Sequence, residues 1–188
     1  MKKLLLHICC APCGSGCVTH PLITGNEYRI GRLFFSNSNL DSLAEYEKRL
    51  DSVVRLGKYY GIEVEADPYD HEAWLEAVRG YENEPERGLR CAKCFRYSLS
   101  RSARRAEQTG EVFATTLTVS PHKSSKLIFE IGSEFSNFAA LDFKKQDGFL
   151  NGRRFAVTQS YYFQNYCGCE FSRREAEERI KAKKVEKK

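Results

Sequence analysis

Eight cysteines are the residues of this chain with the greatest capacity for chemistry. They stand in three short groups: Cys9, Cys10, Cys13 and Cys17; Cys91 and Cys94; Cys167 and Cys169. Thiolates are nucleophiles and ligands for soft metals. Such clustering indicates that the groups share a common centre.

Disulfides and core packing explain the cysteines less well than metal binding does. A disulfide framework is typical of small secreted domains, and this chain has 188 residues. Its start, Met-Lys-Lys-Leu-Leu-Leu, resembles a signal peptide, but the apolar run is too short, which predicts a cytoplasmic protein. Neighbouring cysteines such as Cys9 and Cys10 point in different directions and cannot all enter one apolar core. We therefore expect ligation of a metal by thiolates.

The spacing leaves the choice between zinc and iron open. Two C-x2-C pairs, at positions 10–13 and 91–94, are the usual ligands of a zinc ribbon. That reading leaves Cys9, Cys17, Cys167 and Cys169 unused. The surplus of thiols favours iron chemistry, or an iron-sulfur cluster beside a second metal.

Strand and helix patterns alternate along the chain. Apolar runs predict strands over 4–8, 29–35, 62–66, 111–118 and 138–142, and a Gly/Pro loop follows the first of them. Helical spacing predicts helices over 41–60, 71–78, 91–108, 124–131 and 151–164. This order predicts an α/β fold, an open parallel sheet with helices on both faces. Its carboxyl edge, where such sheets bind ligands, would hold the first two cysteine groups.

Length and charge predict one catalytic domain over 1–172 and a basic helical tail over 173–188. The tail holds eight Lys/Arg and four Glu, whereas the whole chain carries a formal charge of +5. The sequence lacks an apolar run long enough to span a membrane. It also lacks the G-x-G-x-x-G and P-loop motifs, so nucleotide binding is not expected.

Several motifs, taken in chain order, resemble the cobalamin-independent epoxyqueuosine reductases of the QueH type. They are His7-Ile-Cys9-Cys10-Ala-Pro-Cys13, Glu45-Tyr46, Tyr69-Asp70, the segment 84–94 (EPERGLRCAKC), Thr115-Thr116-Leu117, Ser120-Pro121-His122-Lys123 and Tyr166-Cys167-Gly168-Cys169. The resemblance runs from His7 to Ser172. Phe163 departs from it, standing where an arginine is common in the family.

The resemblance implies a fold similar to adenine-nucleotide alpha-hydrolases and the two-electron reduction of the epoxide of epoxyqueuosine at the tRNA wobble position, which gives queuosine and water. The resemblance implies a [4Fe-4S] cluster, with room for an additional mononuclear iron. It also implies an enzyme that needs neither cobalamin nor ATP. The implied partners are tRNA bearing epoxyqueuosine and an electron donor that the sequence does not identify, with no membrane.

The residues that we expect at the site follow from the same motifs. The expected metal ligands are Cys9, Cys10, Cys91, Cys94, Cys167 and Cys169. Asp70 is expected to join the metal or protonate the leaving oxygen, and its alternative role is a helix N-cap. Lys123 is expected to hold a tRNA phosphate, and its alternative is a surface lysine without a role. The aromatic residues at 161–163 and 166 have two readings as well, as core or as a surface on which a base stacks.

Two other functions remain open at this stage. The first is a zinc-stapled RNA-binding module without redox chemistry. The second is a tRNA sulfur-transfer enzyme that carries a persulfide on Cys91 or Cys94. The absence of an S-G-G-x-D-S loop after the first strand counts against the second, because nothing there would cradle the pyrophosphate of ATP.

Overall fold

The computed structural model of the chain describes residues 1–25 and 27–185. The strands are β1 Lys2–His7, β2 Tyr28–Phe35, β3 Glu63–Ala66 and β4 Val112–Thr115. The helices are α1 Ala11–Val18, α2 Pro21–Thr24, α3 Leu43–Tyr60, α4 His71–Ala77, α5 Leu89–Gln108, α6 Ser125–Gly132, α7 Gly148–Thr158 and α8 Glu170–Val185. Two short 3-10 helices cover Thr116–Val119 and Lys145–Asp147.

The four strands form one parallel sheet in the order β3-β2-β1-β4. Strand β1 lies inside the sheet and its residues Leu4, Leu5 and Leu6 are fully buried. Burial of one leucine side chain contributes about 1.5–3 kcal/mol, so this run fixes the central strand. The predicted parallel α/β sheet is confirmed.

Side chains of β1 alternate between two hydrophobic cores. Leu4 and Leu6 pack in a core with α1, α3 and α7. Leu5 packs on the opposite face with Phe113 and with apolar residues of α5 and α6. Alternation of this kind requires helices on both faces of the sheet, as predicted.

The Gly/Pro loop predicted after the first strand is wrong, because this segment forms helix α1. Glycines at 14 and 16 disfavour a helix in isolation, but α1 packs closely against α7. A Cβ at Gly16 would collide with the carbonyl oxygen of Gly148, and one at Gly152 would lie 2.7 Å from the oxygen of Pro12. Tertiary packing therefore overrides the local preference and explains the glycines.

The strand predicted over 138–142 is also wrong. Only one parallel bridge forms there, between Phe113 and Phe138. The reason lies in β4, which the sequence predicts to reach residue 118 but which ends at Thr115. The chain then coils into the 3-10 helix Thr116–Val119, so β4 offers an edge of only four residues, on which the single bridge forms.

Helix α8 begins at Glu170, directly after the last cysteine, and its first half packs on the protein. Ala176 is buried, and the Glu175 carboxylate accepts hydrogen bonds from the backbone N–H of Glu86 and from Arg90. Residues 186–188 of the predicted tail lie outside the described residues. Among the helices that the structure describes, none has the length and hydropathy needed to cross a membrane.

Candidate metal centre

A cavity of about 330 Å³ opens at the carboxyl edge of the sheet, beside the ends of β1, β2 and β4. His7 holds these three strand ends together. With Nε2 protonated, its ring donates to the carbonyl oxygen of Ser36 at 3.1 Å, and Nδ1 accepts from the Thr115 hydroxyl at 2.8 Å. Burial lowers the pKa of His7, which keeps the ring neutral. His7 therefore aligns the ends of β1, β2 and β4, and the first cysteines directly follow β1.

Cys9, Cys10 and Cys13 form the first group of thiols, called here the cysteine trio. Their sulfur atoms all lie within 4.8 Å of one another, and Sγ of Cys9 is 3.9 Å from Sγ of Cys10. Cys10 is the N-cap residue of α1, and Cys13 lies in its first turn. A tetrahedral ion with metal–sulfur bonds of about 2.3 Å holds its thiolates roughly 3.8 Å apart. The trio therefore has the spacing of a site for a single metal ion.

One thiol of the trio ionises before the others. Hydrogen bonds from Cys10 and Cys13 hold the pKa of Cys9 well below its usual range. The hydrogen bonds that Cys13 makes to Cys10 and Cys9 raise its own pKa, and burial adds to this effect. Thr116 donates a further hydrogen bond to Cys9 Sγ at 3.5 Å. The metal-free trio therefore offers one ready thiolate, and a metal would displace the remaining protons.

Four further cysteines line a smaller adjoining cavity of about 90 Å³: Cys91, Cys94, Cys167 and Cys169. We call them the cysteine quartet. Helix α5 begins at Leu89, two residues before the predicted start, so Cys91 lies in its first turn and Cys94 in its second. The other two cysteines lie in the segment before α8. The structure thus brings all six predicted ligands to one edge of the sheet. Two of them, Cys94 and Cys167, line both cavities.

The quartet fits a cluster rather than a single ion. Four thiolates are the ligand set of a [4Fe-4S] cluster. In the described part of the chain, only the trio brings three or more ligand atoms within 4.8 Å of one another. The quartet instead lines a cavity of about 90 Å³, which leaves space for a multi-atom cluster.

Trp74 lies beside the quartet, and its surroundings support the fit to a cluster. Its side chain is fully buried in a small apolar group with Val78 and Cys169. The indole Nε1–H faces Cys94 and favours its thiolate, yet among the described residues it has no partner at hydrogen-bond geometry. A buried donor of this kind is costly unless it is satisfied. The sulfur atoms of a cluster would provide the missing acceptor.

Burial raises the pKa of three cysteines of the quartet, Cys91, Cys94 and Cys169. It raises the pKa of Cys91 to about 11, although the backbone N–H of Arg87 donates to its sulfur at 3.2 Å. Burial also raises the pKa of Cys94 well above its usual range. The position of these thiols near the N-terminus of α5, which favours thiolates, is therefore outweighed by burial, and metal binding must release their protons.

Backbone contacts fix the segment that carries Cys167 and Cys169. Gly168 has φ +148°, its N–H donates to Ser172 Oγ at 3.2 Å, and its oxygen accepts from the Asp41 N–H at 3.0 Å. The buried Arg49 donates from Nη1 to the oxygen of Cys167 at 3.0 Å and pairs with Glu45. Sequence analysis missed Arg49, although its spacing of four residues from Glu45 on a helix was a signal for the ion pair.

Lys123 lies at the boundary of the two cavities and lines both. Its side chain is half-buried and is therefore not an ordinary surface lysine. Burial opposes the charge of its ammonium group, but the thiolates of Cys167 and the trio raise the pKa of Lys123 overall. The structure thus places a stable positive charge between the two sets of cysteines.

Asp70 lies apart from this arrangement. It is exposed and lines neither cavity, and its Oδ1 accepts from the backbone N–H of Ala73 at 3.0 Å, which makes it the N-cap of α4. The alternative role of Asp70, as a helix N-cap, is therefore present, and its catalytic role stays a prediction.

Cys17 is fully buried in the core, and burial raises its pKa well above the usual range.

Comparisons with known proteins agree with these features. Residues 4–175 match the family described as epoxyqueuosine reductase QueH. The chain is 34% identical over 188 residues to the epoxyqueuosine reductase QueH of Thermotoga maritima, which covers 95% of this chain and 94% of that protein. It is also 34% identical to the protein of the same name from Acinetobacter baylyi, over 92% of this chain and 81% of that protein. The identity to the protein of the same name from Haemophilus influenzae is 34% as well, over 93% of this chain and 73% of that protein. A match that spans nearly the whole chain and contains all the cysteines places this protein in the epoxyqueuosine reductase QueH family.

Proposed function

We propose that the chain reduces the epoxide of epoxyqueuosine in tRNA to the alkene of queuosine, with release of water. The reaction consumes two electrons and two protons. The observation that carries the proposal is the position of the trio and the quartet on two adjoining cavities that share Cys94 and Cys167. Substrate in the larger cavity would then lie beside both sets of thiols.

The quartet would hold a [4Fe-4S] cluster, and the trio would hold a mononuclear iron. Cys13 joins Cys9 and Cys10 in this assignment because their sulfur atoms lie within 4.8 Å of one another. When bound, the cluster supplies electrons one at a time and the single iron supplies a Lewis acid. The chain itself must bind the nucleoside, supply protons and keep water out.

Lys123 is the group that we assign to the oxygen of the epoxide. Its Nζ carries a charge that the neighbouring thiolates maintain, and it reaches the cavity that holds the trio. An ammonium group placed there neutralises the charge that develops as the C–O bonds break and delivers a proton to the oxygen. The contact of Lys123 with a tRNA phosphate, expected from the sequence, stays a prediction beside this role.

The remaining partners follow from the reaction. Because the proposed substrate is tRNA, we propose that the protein works in the cytoplasm. A separate redox protein would supply the electrons, because each turnover consumes two electrons that the protein must regain. The wobble nucleoside must turn outward to enter a cavity of this size.

Anaerobic purification followed by metal analysis tests the proposal. The purified chain should contain iron and acid-labile sulfide, and with dithionite it should convert epoxyqueuosine in tRNA to queuosine. Cys94→Ala should lose iron and activity, whereas Cys17→Ala should keep both, because Cys17 lines neither cavity. A protein that holds stoichiometric zinc, lacks iron and leaves the epoxide intact would instead be the zinc-stapled RNA-binding module.

A further inference from the structure

The segment between α7 and Cys167 carries four aromatic residues with different surroundings. Tyr161 is buried in the core. Tyr162 donates to the Glu45 carboxylate at 2.9 Å, and Tyr166 donates to Asp41 at 3.1 Å. Phe163 and Tyr166 both line the larger cavity, but 41% of Phe163 is exposed and its side chain has no group that could form such a hydrogen bond. Packing therefore explains the three tyrosines and leaves Phe163 unexplained.

A guanidinium lies close to the ring of Phe163. Arg153, an exposed residue of α7, lies with Cζ 5.8 Å from the centroid of the Phe163 ring and lines the same cavity. Within the described residues Arg153 forms no ion pair, whereas Arg173 and Arg179 each pair with a carboxylate. An exposed aromatic face beside an unpaired arginine suits a ligand that has both a flat ring and a negative charge.

Gln164 adds a polar group to the same place. Its Nε2 donates to Sγ of Cys10 at 3.3 Å, so the amide lies at the trio. Its Oε1 is buried, and among the described residues it has no hydrogen-bond partner. A buried acceptor that lines a cavity costs free energy unless a ligand satisfies it. The next residue after Phe163 thus supplies an acceptor for an N–H or O–H group that enters the cavity.

We propose that Phe163, Gln164 and Arg153 form a nucleotide-binding subsite for the single-stranded loop of the RNA substrate. Phe163 stacks a base that flanks the reacting nucleoside, and Arg153 contacts the phosphate beside that base. Gln164 Oε1 accepts a hydrogen bond from the nucleoside in the cavity. The subsite rests on the proposed function, because the reacting nucleoside must reach the trio past this rim.

Physical reasons favour RNA over a protein at this surface. Bases in single-stranded loops are recognised by stacking on aromatic side chains and by arginine contacts to the backbone. Besides Arg153, the lining of the cavity includes Lys123, Arg87 and Arg179, and the carboxylate of Glu86 that also lines it is paired with Arg179. The net positive lining suits a polyanion.

The test uses the anaerobically purified holoprotein and an anticodon stem-loop that carries epoxyqueuosine, with dithionite as the reductant. Dithionite removes the electron-donor protein from the assay. The variants are Phe163→Leu, which keeps apolar volume without a π-face, and Phe163→Trp, which keeps the π-face. Val157→Ala is the control, because Val157 is 62% exposed on α7 and lines neither cavity. A second stem-loop carries 2-aminopurine beside the wobble position and reports stacking by its fluorescence.

Phe163→Leu should raise the Kd for the stem-loop and the KM roughly 5- to 100-fold, the range expected for the loss of one stacked base, with kcat little changed. It should also abolish the quenching of 2-aminopurine that wild type produces, and Phe163→Trp should retain it. Equal Kd, KM and quenching for wild type and Phe163→Leu would overturn the subsite even if the epoxide is reduced. A wild-type protein that binds the stem-loop and quenches 2-aminopurine but reduces nothing would refute the proposed function alone.

Discussion

Substitution of Gly168 by alanine should empty the quartet while the sheet stays folded. Gly168 has φ +148°, a conformation that side chains other than glycine rarely adopt. A Cβ there would lie 2.5 Å from Leu40 Cδ2 and 3.2 Å from Asn39 Nδ2. Backbone strain costs about 1–3 kcal/mol, and insertion of a methyl group into a packed site costs about 1–3 kcal/mol more.

The sum of about 2–6 kcal/mol is a large part of the roughly 5–15 kcal/mol that stabilises a domain. The segment before α8 can relieve this strain by moving, since it belongs to no strand. Movement would break the hydrogen bond from Asp41 N–H to Gly168 oxygen and displace Cys167 and Cys169 from Cys91 and Cys94. We therefore expect Gly168→Ala to fold, to lose most of its iron and sulfide, and to lose activity.

Gly80→Ala is the matched control. Gly80 also has positive φ, at +84°, but a Cβ there would meet no atom within 4 Å. It should therefore cost only about 1 kcal/mol and leave the metal content unchanged. Iron and sulfide per chain, measured beside the thermal unfolding midpoint, separate the two effects. A Gly168→Ala protein with wild-type iron content would refute the role assigned to this glycine.

Three further predictions concern single side chains. Asp70→Asn should keep the stability of the protein, because asparagine is also a good N-cap. A loss of activity with an unchanged unfolding midpoint would support a proton-donor role for Asp70. Unchanged activity would leave Asp70 only its role as the N-cap. Trp74→Phe should keep the packing but remove the N–H group that faces Cys94. The reduction potential of the bound centre should therefore become more negative. An unchanged potential in a redox titration would contradict this contact. Glu111→Gln should lower the free energy of unfolding at pH 7 by about 3 kcal/mol, because it breaks a buried ion pair with Arg32. Burial opposes the charge of Glu111, but hydrogen bonds and neighbouring cations lower its pKa overall. The stability that the ion pair contributes is therefore present above the ordinary pKa of glutamate, and it is lost as the pH falls through the pKa of Glu111 in the folded protein. The difference between the wild type and Glu111→Gln in urea unfolding should therefore shrink as the solution is acidified, and a constant difference would contradict the assignment.

The order of strands and helices was predictable because the hydrophobic patterns are local. The run at 4–6 and the helical spacing of 41–60 needed no knowledge of distant residues. Helix α1 was not predictable in this way, since Gly14 and Gly16 weaken a helix. Only close packing explains them, of Gly14 against Ile8 and Leu56 and of Gly16 against α7. The missing fifth strand likewise depends on where β4 ends, which is a property of the assembled sheet.

The cysteines were predictable as ligands, but their division into two sets was not. Spacing alone pairs Cys10 with Cys13 and Cys91 with Cys94, as in a zinc ribbon. The structure places these two pairs in different sets. Arg49 and Trp74 escaped sequence analysis because their roles depend on contacts with residues far away in the chain.

The shared wall of the two cavities has a consequence for how the protein meets molecular oxygen. Cys94 and Cys167 line both cavities, so in a chain loaded as proposed two ligands of the cluster would also face the substrate cleft. Electrons would pass to the substrate without a relay through the protein. Dioxygen is smaller than any nucleoside, and it would use the same opening. Bound RNA would close that route, so the substrate itself would protect the centre that reduces it.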